Sequence, residues 1–169
     1  MSNYRRSTRE CSVTQLNPEL LRALQEYFQS HNLGELETEA LACCETVAEK
    51  KPGSWLSDWL EPGSDETVFT GIVLTAQSLV WARKGDKASA LVVGAELMNI
   101  RARMHISFFS KDLGLEVTGL IENSKSNIHG IIGLGPEPAA QKFCDEVTQA
   151  IEKINPTPVR KFPRWMGGQ

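Results

Sequence analysis

The chain of 169 residues is 41% hydrophobic and 23% charged, with a formal net charge of −3 at pH 7. That composition belongs to a folded domain with a short extension; it excludes a disordered, collagen-like or disulfide-framed chain and argues against a nucleic-acid binder. No apolar run is long enough to span a bilayer and the first residues lead into no apolar signal core. Four cysteines without CxxC or metal spacing point to reduced thiols, so a cytoplasmic protein is expected.

Residues 1–16 read as a flexible N-terminus, and residues 17–62 as a helical region carrying most of the acids. Asn17-Pro18-Glu19-Leu20 is a helix start, with Asn as N-cap, Pro at the first helical position and an acid in the first turn. Leu20, Leu21, Leu24, Tyr27 and Phe28 then follow one buried stripe, and Gly34 suits the left-handed position after the helix end. A second helix is predicted over 35–50, with Leu36, Ala40, Cys43, Cys44 and Val47 inward and its end marked by Pro52-Gly53. A helical turn with Trp55 and Trp59 follows.

From Thr67 the period changes to two. Val68, Thr70, Ile72 and Leu74 form one alternation, Thr75 to Ser78 a turn, and Leu79, Trp81 and Arg83 a returning strand. Lys84-Gly85-Asp86-Lys87 reads as a hairpin loop, and residues 90–93 as the strand beyond it. A short strand is expected within 95–103 after a bend at Gly94, and three more over 105–110, 115–121 and 127–134. Pro138 then opens a helix whose stripe is Ala139, Phe143, Val147, Ile151 and Ile154, before Asn155-Pro156 ends it and a basic, aromatic tail covers 155–169.

The hairpin Gly71-Ile72-Val73-Leu74-Thr75-Ala76-Gln77-Ser78-Leu79-Val80-Trp81, the later Glu96-Leu97-Met98-Asn99-Ile100 and the terminal helix with Phe143 inward resemble bacterial PH-like and GRAM-type domains of the pleckstrin-homology-like superfamily over residues 66–154. Ser78 stands where that family commonly has an arginine, and no first strand is obvious before Thr67. The resemblance implies an α+β fold: N-terminal helices packed on an antiparallel PH-like barrel of six or seven strands, closed by a C-terminal helix. It also implies a non-catalytic binding or scaffolding module, with protein contact through a groove or sheet edge as the leading expectation.

Candidate binding residues are few. Arg83, Lys84 and Lys87 fall on one hairpin, the place where related domains contact phosphoinositides, so recognition of anionic lipid headgroups is the alternative. A solvated turn explains the same residues blandly. The tail residues Arg160, Lys161, Arg164 and Trp165 suit an anionic membrane surface or contact with protein, though three cations fall short of a polybasic segment. No cofactor or metal is expected: His31, His105 and His129 have no chelating spacing, and the vicinal Cys43-Cys44 lies among acids that disfavour a thiolate. The glycines at 130, 133 and 135 match no phosphate loop. A small cone-type α+β enzyme would need His105 or His129 brought together with Glu96, Glu116 or Glu122 in a deep pocket. Partner and oligomeric state are open at this level.

Overall fold

The computed structural model of the protein describes residues 4–51, 65–106, 113–120 and 127–156. Its chain order is strand β1 (Tyr4–Glu10), a single 3-10 turn (Val13–Gln15), helix α1 (Pro18–Ser30), a one-turn helix α2 (Leu36–Glu39), and strands β2 (Ala42–Lys50), β3 (Thr67–Leu74), β4 (Ser78–Gly85) and β5 (Leu91–Glu96). A second 3-10 turn (Leu97–Asn99) leads into β6 (Ile100–Ile106), β7 (Leu113–Leu120), β8 (Asn127–Leu134) and the terminal helix α3 (Pro138–Ile154). All neighbouring strands run antiparallel, in a five-stranded sheet of order β1-β2-β3-β4-β5 and a three-stranded sheet of order β6-β7-β8.

The fold is therefore mostly β, and the expected closed barrel beneath a layer of N-terminal helices is not what forms. Among the described residues no backbone ladder joins the two sheets. Where β1 approaches the end of β8, side chains take the bonding positions instead: the Thr8 N–H donates to Glu137 Oε2 at 2.8 Å, and the Gly135 N–H donates to Thr8 Oγ1 at 2.7 Å. With those donors satisfied locally, no ladder is needed to pair them.

The stretch expected to be flexible supplies β1, paired with β2 from Tyr4↔Lys50 to Glu10↔Cys44. The helix expected over 35–50 shrinks to α2, and β2 takes the rest, paired on both sides from Ala42↔Leu74 to Glu49↔Thr67 along β3. The apolar spacing at 36, 40, 43, 44 and 47 mimics a helical stripe because both faces of β2 are covered. Cys43 belongs to the core beneath α1, and Cys44 to the core beneath α3. Ladders to two neighbours outweigh a weak local helical preference. Trp55, Trp59 and the tail beyond Pro156 lie outside the described residues.

The five-stranded sheet is the middle layer. On its outer face Leu20, Leu24 and Phe28 of α1, each essentially fully buried, pack on Val73, Val80 and Ala82 together with Cys43. Burial of each such side chain is worth about 1.5–3 kcal/mol. On its inner face Ile72, Leu74, Leu79 and Ala95 meet Leu115, Val117, Ile132 and Leu134 of the smaller sheet, and Ala140, Phe143, Cys144, Val147 and Ile151 of α3 cover one end of this core. The α3 stripe is thus one residue later at its start than expected, and Ile154 is exposed.

Asn17 caps α1 as expected, accepting from the Glu19 N–H at 3.0 Å. Gly34 is left-handed as expected, with φ 88°, but the helix stops earlier, at Ser30, and the residue just past its His31 cap is a left-handed Asn32 with φ 54°. The Leu33 N–H bonds to the Phe28 carbonyl and the Asn32 N–H to that of Gln29, satisfying the orphan carbonyls of the last turn.

Candidate functional site

The structure takes the expected basic hairpin apart. β4 runs on through Gly85, so Arg83 and Lys84 are strand residues and their side chains leave on opposite faces. Lys84 turns to the outer face, 3.2 Å from Glu19 Oε1 on α1, with its side chain only 15% exposed. Lys87 sits in the exposed turn, its backbone N–H donating to Asp65 Oδ1. Arg83 alone faces the space between the sheets. Arg160, Lys161, Arg164 and Trp165 lie outside the described residues.

Strand register explains what Arg83 joins. The pairings Thr8↔Thr46, Thr46↔Thr70 and Thr70↔Arg83 place three threonines and this arginine in one row straight across four strands of the inner face. Neighbours in such a row stand about 5 Å apart. The next row toward the core is Cys44, Ile72 and Trp81, and the next toward the open end begins with Arg6 opposite Ala48. Polar side chains thus end the apolar core where the sheets part.

A cleft of about 220 Å³ opens there. Tyr4, Arg6, Thr46, Thr70, Trp81 and Arg83 of the large sheet line it, with Ala48 and Val68 between them and Ile131, Ile132 and Gly133 of β8 opposite. That space suits roughly seven waters or one small polyatomic group. Two guanidinium-bearing residues contribute to the wall and, among the described residues, no carboxylate does. Among the described residues Arg83 has no ion-pair partner. Arg6 crosses the β8 backbone at Gly133, where a side chain would collide: an added Cβ would lie 2.6 Å from Arg6 Nε. Two guanidinium groups, three hydroxyls and an indole line it, and a guanidinium fork has the geometry that matches a carboxylate or phosphate.

β1, which carries Tyr4 and Arg6, is held at several points besides the seam. Tyr4 donates its hydroxyl to the Asp65 carbonyl at 2.8 Å. Thr8 Oγ1 and Thr46 Oγ1 are 2.7 Å apart. On the outer face the buried Glu45 carboxylate accepts from Arg9 at 2.6 Å and from the Asn17 N–H at 2.7 Å, tying β1, β2 and the start of α1 together. The hydrogen bond to Glu45 raises the Arg9 pKa. Reading residues 1–16 as flexible missed this half of the site. No apolar alternation was there to find it, because Tyr4, Arg6 and Thr8 share the inner face among residues that are polar on both faces.

The residues weighed for a cone-type enzyme do partly meet. Glu116 accepts two hydrogen bonds from Arg103, at 2.6 and 3.1 Å, and lies 3.2 Å from His129 Nε2. The Arg103 bonds above all, then the His129 contact, hold the Glu116 carboxyl below its ordinary value against some desolvation. This cluster lies on the outer face of the small sheet, with the His129 and Arg103 side chains 74% and 78% exposed. The recess beside it, about 380 Å³ lined by Arg101, Ala102, Arg103, Glu116 and Thr118, opens on this outer face rather than forming the deep pocket such an enzyme would need. Glu96 is taken by Asn99, and Glu122 lies outside the described residues. His31 caps the end of α1 and stacks on Tyr27. Among the described residues no three His, Cys, Asp or Glu side chains are grouped to hold a metal ion, and no helix is long and apolar enough to cross a membrane.

No family model matches the chain, and no curated protein matches it.

Proposed function

We propose that this is a non-catalytic protein-binding module that grips an anionic group of its partner between Arg6 and Arg83. The observation that carries the reading is the inter-sheet cleft, walled by both arginines and, among the described residues, by no carboxylate. A narrow recess admits one projecting carboxylate or phosphate, as a side chain of a protein partner would present it. A flat bilayer is matched by many cations on one face, and Lys84, turned away onto Glu19, no longer contributes to such a face. The run of antiparallel strands from β3 to β8 followed by α3 supports a pleckstrin-homology-like kinship for residues 66–154, as a proposal and without the closed barrel. Four free cysteines support a cytoplasmic setting.

The test is a titration of isotopically labelled protein with inorganic phosphate, acetate and a short acidic peptide, read by nuclear magnetic resonance. Saturable shifts at Thr46, Thr70 and the Trp81 indole, lost in Arg83→Gln and kept in Lys84→Gln, are expected. Absence of shifts with every probe overturns the reading. Co-sedimentation with acidic vesicles that Arg83→Gln abolishes, without any response to peptide, replaces the protein partner by a lipid headgroup.

A further inference from the structure

Two of the four thiols touch. The β1–β2 register continues one step past Glu10↔Cys44, with the Cys11 N–H donating to the Cys43 carbonyl at 3.2 Å, and the two Sγ atoms lie 3.9 Å apart on the outer face of the sheet. Cα atoms of directly opposed antiparallel residues are about 4.5–5.5 Å apart, inside the range a disulfide spans, so bonding needs side-chain rotation without displacement of the strands. The two thiols differ in setting. Cys43 is buried against α1, whereas Cys11 is partly exposed beside Arg9. The hydrogen bond from Cys43 lowers the Cys11 pKa and that contact together with burial raises the Cys43 pKa. Cys44, on the opposite face, and Cys144, on α3, are both buried and both held protonated by burial.

We propose that Cys11 and Cys43 form a peroxide-responsive dithiol site. The Cys11 thiolate attacks one oxygen of a hydroperoxide; the O–O bond breaks, the sulfur is oxidised to a sulfenic acid, and hydroxide (or alkoxide) leaves. The Cys43 sulfur then attacks the Cys11 sulfur, the S–O bond breaks, and the departing hydroxide takes the Cys43 thiol proton to leave as water. One disulfide forms for each hydroperoxide reduced. A partly exposed, more acidic thiol next to a buried partner is the arrangement that stops oxidation at this stage. The bond closes a loop spanning 32 positions that contains α1, so it ties the end of β1 to β2 beside the Arg9–Glu45–Asn17 junction.

The full chain is treated with hydrogen peroxide, unfolded under alkylating conditions and mapped by mass spectrometry without reductant. The expected result is loss of two of the four thiols, a linked pair of peptides containing Cys11 and Cys43, and a melting temperature several degrees higher that reductant reverses. In Cys43→Ser a dimedone adduct at Cys11 is expected, and Cys144→Ser behaves as the parent. Failure to recover the linked peptide overturns the proposal, as does linkage through Cys44 or through a second chain. The mapping uses the unsubstituted protein, so its outcome does not depend on whether any variant folds.

Discussion

Thr8 and Glu137 stand 129 positions apart and meet at the seam between the sheets, where the Thr8 N–H donates to Glu137 Oε2 at 2.8 Å. Glu137 also closes the entry to α3 as its N-cap residue, so one carboxylate joins the first strand to the last helix. Thr8 is 3% exposed, and its N–H donates to this carboxylate. Glu137→Ala is expected to lower stability by about 1–3 kcal/mol, the usual cost of a buried donor left unsatisfied. Glu137→Gln keeps an acceptor and should lose less. Denaturant unfolding of the three proteins decides it; equal stability would show that the seam contributes nothing.

Gly133 gives Arg6 its path across β8. The colliding atoms are the far end of a flexible side chain, so Gly133→Ala should move the guanidinium while costing little stability, about 0.5 kcal/mol or less beyond any strand preference. Phosphate affinity is expected to fall several-fold. Unchanged affinity in a normally folded Gly133→Ala protein would remove Arg6 from the site.

The Glu116 carboxyl should titrate below the ordinary glutamate range, because Arg103, and after it His129, bond to its charged form. In the unfolded chain those partners are gone and the ordinary value returns. The stabilising contribution is therefore complete above that ordinary value and drains away as pH falls through the lowered folded one. Carboxyl resonances followed with pH check this, and Arg103→Gln is expected to bring the Glu116 titration back up. A Glu116 midpoint that does not respond to that substitution would count against the ion pair.

Leu24 is fully buried between α1 and the outer face of the large sheet. If α1 is part of the domain, Leu24→Ala should cost about 2–5 kcal/mol, as other buried leucines do on truncation. Unfolding should stay a single transition for far-ultraviolet and tryptophan signals alike. A separate early transition of helical signal would make α1 an appendage.

Local signals were clear wherever one element bears one buried face. The Asn17-Pro18 start, the alternation from Val68 to Leu74, the returning Leu79, Trp81 and Arg83, and the Pro138 start of the last helix were all legible, since each rests on capping chemistry or on a period of 2 or 3.6. β2 was not. With α1 on one side and α3 on the other, its Cys43, Cys44, Glu45 and Thr46 are all buried, and a strand covered on both faces loses its alternation. β1 was hidden for the opposite reason. Every residue of it after Tyr4 is Arg, Ser, Thr or Glu, and an edge strand that polar marks itself only through its pairing.

The same division holds for the candidate site. The chain alone determined that Arg83 lies on a strand beside a turn, that α1 begins at Pro18, that the last helix has an apolar stripe, and that no metal-binding spacing accompanies its histidines. Only the tertiary structure decided that Arg83 and Lys84 face opposite ways, that Arg6 comes to the cleft Arg83 lines, and that Cys11 touches Cys43. Sequence periodicity records how each segment meets solvent along its own length, whereas these meetings depend on register between strands far apart in the chain, which is set by the packing of both faces at once.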